Sequence, residues 1–115
     1  MSTDPFAERE KGFEAKFKLD QEQEFRAQAR RNKLFGLWAA EKLGRTGPEA
    51  EAYARTVVAA DFQKPGHDDV IAKVRTDLEA AGAPIDERTL RAEYEKFLPV
   101  ARRQIAEEAP KEPKV

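Results

Sequence analysis

Cysteine is absent from this chain of 115 residues, and histidine occurs once, at His67. Without cysteine there is no disulfide framework, no thiolate chemistry and no cysteine-ligated metal. Zinc needs several ligands at defined spacing, and one histidine does not supply them. We therefore interpret His67, with Asp68 and Asp69 after it, as capping the start of a helix. No metal site and no cofactor are expected, and the lack of cysteine fits a reducing compartment.

Long apolar runs and a large net charge are also missing. No run of apolar residues is long enough to span a bilayer, and the N-terminus lacks the apolar core of a secretory signal. The 21 Lys and Arg residues nearly balance the 22 Asp and Glu residues, for a net charge of -1. This balance gives no general electrostatic reason to bind nucleic acid or an anionic membrane. The composition predicts a soluble, cytoplasmic protein that binds no nucleic acid and inserts in no membrane.

Catalytic motifs are not found in the sequence either. No nucleophile stands beside a base in a recognised pattern, and Gly44 and Gly47 lack the lysine-serine signature of a phosphate loop. The acidic pair Glu107-Glu108 would need a concave apolar pocket for acid-base chemistry, which a small helical protein rarely provides. We do not expect an enzyme.

What the sequence does contain is helical periodicity. Apolar residues recur at helical spacing in four segments, the first over about residues 20–43, and no segment alternates in the manner of a β-strand. The segments are separated by residues that favour helix ends, namely Gly44, Pro48, Asp68, Gly82 and Asp86. Short connections favour antiparallel neighbours. The sequence predicts an all-α four-helix bundle over residues 19–108, followed by a disordered tail over 109–115.

Three details of the bundle are predicted from individual residues. Pro99 lies inside the fourth helix and is expected to kink or split it, because proline removes a backbone donor. Phe35 and Trp38 are not expected to face the same way unless the first helix is buried on two sides, so one of them would be exposed for a partner. The apolar stripe of the first helix is expected to contain Phe25, Ala29, Leu34, Leu37, Trp38 and Leu43.

The N-terminal segment, residues 1–18, carries three of the seven phenylalanines, Phe6, Phe13 and Phe17. At about 100° per residue their rings share one side of a helix, although Pro5 and Gly12 oppose helix formation. Burying three phenylalanines yields roughly 5–9 kcal/mol, and ordering the segment consumes roughly 2–5 kcal/mol of that. The remainder supports reversible docking of a flexible segment, either back on the bundle or in a partner's groove. The residues alone leave both alternatives open.

A cationic face is the second candidate site. Arg26, Arg30 and Lys33 fall on one side of the first predicted helix, joined by Arg31. A solvated face balanced by nearby glutamates is the simpler interpretation. The alternatives are a nucleic-acid patch, a contact with an acidic partner surface, or an anion site for a nucleotide phosphate. The last would make the chain a small helical adenine-nucleotide-binding regulatory protein.

Two stretches resemble a known family. Residues 8–17, Glu-Arg-Glu-Lys-Gly-Phe-Glu-Ala-Lys-Phe, and residues 29–44, Ala-Arg-Arg-Asn-Lys-Leu-Phe-Gly-Leu-Trp-Ala-Ala-Glu-Lys-Leu-Gly, are similar to the zeta-subunit family of alphaproteobacterial F-type ATP synthase inhibitors. The resemblance implies a four-helix protein whose N-terminal segment is inhibitory. That segment would enter a catalytic α/β interface of the ATPase head, contact the γ shaft and block rotation in the hydrolytic direction.

The resemblance also implies roles for residues of the segment. The rings of Phe6, Phe13 and Phe17 would anchor it in an apolar groove. Charge pairs at the rim would set its register, and their residues are Glu8, Arg9, Lys11, Glu14 and Lys16. The implied partners are the α, β and γ subunits at the cytoplasmic face of the inner membrane, and the free protein would be a monomer.

Overall fold

The computed structural model describes residues 19–61 and 68–108 of the chain. This part is all-α and contains no strand. It consists of four helices: α1 (Gln21–Lys42), α2 (Gly47–Ala60), α3 (Asp68–Ala80) and α4 (Glu87–Glu108). The predicted four-helix bundle is therefore confirmed. The N-terminal segment, the tail over 109–115 and His67 lie outside the described residues.

The ends of the helices follow the capping residues of the sequence. Asp20 precedes α1, where its carboxylate accepts a hydrogen bond of 2.7 Å from the backbone N–H of Gln23. The Gln23 side chain accepts one of 3.2 Å from the backbone N–H of Asp20, which completes a capping box. Gly44 and Gly82 have φ values of 79° and 78°, a left-handed conformation that suits glycine. They follow α1 and α3, as predicted.

Helix α4 continues through Pro99 without interruption. Of the two effects predicted for Pro99, a kink or a split, the split is wrong. Pro99 and Glu95, whose carbonyl would otherwise accept the missing hydrogen bond, are both exposed. Water can satisfy that carbonyl on the outer side of the bundle, while Tyr94 and Ala101 are buried on the inner side. The helix therefore tolerates the proline because it lies on the solvent face.

Helix α1 is the centre of the bundle, since it packs against the three other helices and most extensively against α2 and α4. The main apolar cluster joins all four helices and consists of Phe35, Ala39, Ala40, Tyr53, Val57, Val70, Ile71, Val74, Leu78, Leu90 and Tyr94. A smaller cluster between α1 and α4 consists of Ala27, Ala101 and Ile105, with Leu19 and Leu34 packed against it. None of the described helices is long and apolar enough to cross a membrane.

The inner face of α1 differs from the predicted stripe. Phe25 is 63% exposed, so its assignment to the core is wrong. Phe35 is fully buried and Trp38 is partly buried against the same cluster, with the two rings stacked at 5.6 Å. Residues three apart share a helix face, so the prediction that one of these two rings is exposed is also wrong. The buried positions of α1 are Ala27, Arg31, Asn32, Phe35, Gly36, Ala39 and Ala40.

Candidate functional site

The predicted partner-binding residues of the N-terminal segment lie outside the described residues; they are Phe6, Glu8, Arg9, Lys11, Phe13, Glu14, Lys16 and Phe17. The structure does define where this segment joins the bundle. Leu19 packs against the small cluster between α1 and α4, and the capping box of Asp20 fixes the start of α1. The segment is therefore attached at a defined point on the bundle surface.

The three predicted cations come together in one groove. Arg26, Arg30 and Lys33 line an open groove of about 520 Å³ between α1, α2 and α4. Its other lining residues are Gln23, Ala29, Val58, Ile105 and Glu108. The volume falls in the range of small-molecule sites, and the lining combines apolar surface with a few polar groups. The spacing seen in the sequence thus corresponds to one continuous surface.

Two ion pairs join α1 to α4 beside this groove. Arg30 donates two hydrogen bonds to the Glu108 carboxylate, at 2.7 and 2.8 Å, and one to Gln104 at 2.7 Å. Arg102 donates to the Glu24 carboxylate at 2.7 and 3.1 Å. These hydrogen bonds from arginine lower the pKa of both Glu24 and Glu108 below the ordinary value of a glutamate. Both carboxylates are therefore charged at neutral pH and hold α4 against α1.

The two outer cations of the groove also have acidic neighbours. Arg26 pairs with Glu22 one helical turn away at 3.1 Å, and both side chains are mostly exposed. Lys33 lies 3.8 Å from Glu51 of α2. Exposed pairs of this kind contribute little to stability, since water and salt screen them. An anion entering the groove would compete with these carboxylates for the same cations.

Arg31 does not belong to the groove. Its side chain is 2% exposed, and its guanidinium carbon lies 4.1 Å above the Tyr94 ring. The Nη2 atom donates to Gln28 at 2.6 Å. Neighbouring residues on a helix point about 100° apart, so Arg31 faces the core while Arg30 faces the groove. The prediction that Arg31 joins the cationic face is wrong.

A buried polar network, which the sequence reasoning missed, surrounds this arginine. Asn32 is 1% exposed; it donates to Asp61 at 3.0 Å and accepts from the Tyr94 hydroxyl at 2.5 Å. Burial raises the pKa of Tyr94 to about 12, so its hydroxyl stays protonated and donates. The network joins α1 to α4 and to the end of α2. One signal in the sequence pointed to this network. Asn32 lies between apolar positions of α1, and a polar residue there either interrupts the apolar stripe or is buried with hydrogen-bond partners.

A second polar network joins α2 to α3. The Tyr53 hydroxyl donates to Asp77 at 2.7 Å, and Lys73 donates to the same carboxylate oxygen at 2.9 Å. Burial raises the pKa of Tyr53. Its ring also lies 5.3 Å from the charged groups of both Arg45 and Lys73. The Tyr53 hydroxyl, the Lys73 ammonium group and the Asp77 carboxylate bind one another, which indicates a structural role.

Metal-ligating side chains do not cluster within residues 19–61 and 68–108, where no group of three or more His, Cys, Asp or Glu residues could hold an ion. The candidate functional surface is therefore the attachment point of the N-terminal segment together with the outer face and groove of α1. Its chemistry suits binding: it offers cations, one exposed aromatic ring and the point where residues 1–18 join the bundle.

Comparison with other proteins identifies the family. The family model described as ATPase inhibitor subunit zeta matches residues 1–104. A protein whose structure was determined in solution by NMR has 50% sequence identity to this chain, with a TM-score of 0.66 over 74% of this chain and 96% of that one. No curated protein sequence matches the chain. Since the family match extends over nearly the full length, the chain belongs to the ATPase inhibitor subunit zeta family.

Proposed function

We propose that this chain inhibits ATP hydrolysis by the F-type ATP synthase, and that residues 1–18 act by entering a catalytic α/β interface beside the γ shaft. The observation that carries the proposal is the family match, which begins at residue 1 and so includes the whole N-terminal segment. The inhibition is steric: the segment occupies space that the moving subunits need. The chain itself performs no chemistry.

The structure supports separate roles for the N-terminal segment and the helical bundle. The helices of the bundle pack around an apolar core of their own, and Leu19 with Asp20 holds the start of α1 in place. A segment attached to a docked bundle binds at a high local concentration, because its second binding event is intramolecular. The aromatic rings of the segment would anchor it, and its charged residues would fix its register.

The first experiment is a titration of the purified cognate ATPase with the full-length chain. Replacing Phe6, Phe13 and Phe17 together by alanine is expected to abolish inhibition of ATP hydrolysis, because the anchors are lost. Thermal unfolding of the bundle should be unchanged. Deleting residues 2–17 should have the same effect, while deleting the tail over 109–115 should leave inhibition intact. Full inhibition by either N-terminal variant would refute the insertion mechanism.

A second function is favoured by one observation, the groove that collects three cations on α1. An adenine nucleotide would place its phosphates against Arg30 and Lys33 and displace Glu108. Replacing Glu108 by glutamine should therefore tighten nucleotide binding, and replacing Arg30 by glutamine should weaken it. The measurement is a titration with ATP or ADP followed by amide chemical shifts. Amide shifts that stay unchanged around the groove in all three proteins would rule this function out.

A further inference from the structure

The first turns of α1 present one exposed face with an apolar centre. Gln21, Glu22, Phe25 and Arg26 are all exposed, and their spacing of i, i+1, i+4 and i+5 places them side by side on the helix. Phe25 is 63% exposed, more than Val100, the other exposed large hydrophobic side chain in the described part of the chain. We name these four residues the α1 entry face.

Core packing does not account for the aromatic ring at this position. The inward positions of the same turns are occupied by Ala27 in the small cluster and by the pairing of Glu24 with Arg102. Farther along α1, the buried Asn32 and Gly36 lie on the same side of the helix as Phe25, and there α2 covers them through Asp61 and Ala54. Phe25 is exposed because α2 ends at Ala60, close to Asn32, before it reaches the first turns of α1.

A single exposed hydrophobic residue is common on protein surfaces and by itself needs no explanation. The location of Phe25 is what carries the argument. It follows the capping residue Asp20 by five positions, a distance of about 7.5 Å along the helix axis. The capping box and Leu19 fix the point where residues 1–18 join the bundle. The segment therefore joins the bundle within two helical turns of Phe25.

The chemistry of the α1 entry face matches a contact surface. Its ring is bordered by the ion pair of Glu22 and Arg26, whose side chains are 74% and 61% exposed. An apolar or aromatic centre surrounded by a polar rim is the usual composition of the energetic centre of a protein interface. The facing surface would be an apolar depression with polar edges.

We infer that the α1 entry face, centred on Phe25, is a second contact with the ATPase head and continues the binding surface of residues 1–18 onto the bundle. The inference rests on the proposed function, because the ATPase is the partner only if the chain inhibits it. Two linked contacts strengthen each other, since each holds the other near its site. The ring of Phe25 thus contributes to potency without entering the catalytic interface.

The test uses the full-length chain and purified cognate ATPase. Phe25→Ala is expected to raise the concentration needed for half-inhibition about tenfold, as expected when one interface anchor is lost. Phe25→Leu, which keeps an apolar side chain, should restore most of the potency. Val100→Ala is the matched control, because Val100 is an exposed hydrophobic residue on α4; its potency should stay within about twofold of the parent.

Cross-linking provides a second readout. Because the chain has no cysteine, Phe25→Cys gives one thiol for a photoactivatable cross-linker. We expect a covalent product with a subunit of the head from position 25 and none from Val100→Cys. Unchanged potency of Phe25→Ala, an equal loss in Val100→Ala, or no product from position 25 under inhibiting conditions would each overturn the inference.

The same titration separates this inference from the proposed function. A triple alanine variant at Phe6, Phe13 and Phe17 reports on the segment, and Phe25→Ala reports on the α1 entry face. Loss of inhibition in the triple variant with no effect of Phe25→Ala would leave the function standing and remove the second contact. Full inhibition by the triple variant would refute the insertion mechanism. The affinity of Phe25→Ala for the ATPase would then still show whether the α1 entry face is a contact.

Discussion

Gly36→Ala tests whether α1 and α2 approach as closely as the structure shows. A Cβ atom at position 36 would lie 2.8 Å from the Cα of Ala54 and 3.1 Å from the Cβ of Val57. Carbon atoms in contact are normally about 3.5–4.0 Å apart, so the helices would have to separate by about 1 Å. Overpacking of this kind costs about 1–3 kcal/mol, whereas alanine favours a helix over glycine by about 1 kcal/mol. Because the obstructing atom belongs to the backbone, we expect a net loss of about 1–2 kcal/mol.

Urea denaturation and thermal unfolding measure this effect, and the expected fall in Tm is about 4 °C or more. Ala92→Gly is the matched control, since Ala92 is an exposed residue inside α4 and reports the alanine preference alone; it should cost about 1 kcal/mol. Gly36→Val adds more volume and should cost more than Gly36→Ala. If Gly36→Ala instead raised the free energy of unfolding by as much as Ala92→Gly lowers it, the close approach of the two helices would be refuted.

Three further predictions concern stability. Phe35→Ala removes a fully buried ring that packs against two other aromatic rings, so urea denaturation should show a loss of about 3–5 kcal/mol. Asp20→Ala removes the cap of α1 and should cost about 1 kcal/mol, measured by thermal unfolding. Acid should also destabilise the bundle. The pKa of Glu24 is lowered by the hydrogen bond from Arg102, so its contribution is fully present above the ordinary value of 4.5 and is lost as the pH falls through the lowered pKa. Glu24→Gln should lower the Tm at pH 7 and flatten its decline in acid; an unchanged acid profile would contradict this assignment.

The helix boundaries could be predicted from the sequence because they depend on local chemistry. The carboxylate of Asp20 needs only the N–H groups of the next turn, and Gly44 and Gly82 need only their own freedom to adopt a positive φ. The number of helices follows from the same signals. The spacing of Arg26, Arg30 and Lys33 likewise predicted that these cations share a face, because side-chain direction on a helix is also local.

The inner face of α1 could not be predicted in the same way, because tertiary contacts decide it. Arg31 and Asn32 are polar, yet tertiary contacts hold them in the interior: Arg31 stacks on the Tyr94 ring, and Asn32 hydrogen-bonds to Tyr94 and Asp61. Gly36 carries no side chain, and this absence allows α2 to approach α1 closely. A pattern based on hydrophobicity alone gives these positions no weight. It assigned Phe25 to the core because the pattern of one helix does not show where the neighbouring helix α2 ends. Pro99 was misjudged for a related reason, since its effect depends on which side of α4 faces water.

These buried residues also change what the resemblance means. The run over residues 29–44 lies almost entirely in α1, and its unusual members Arg31, Asn32 and Gly36 are held in the core. These buried members of the run therefore specify how the bundle packs and do not themselves contact a partner. Contacts with the ATPase must come from residues that remain exposed or that lie in the N-terminal segment. Under the proposed mechanism, a relative could keep residues 29–44 and the bundle and still lose inhibition, if residues 1–18 changed. Inhibitory strength within the family should therefore vary with the segment and with the outer face of α1, independently of the stability of the bundle.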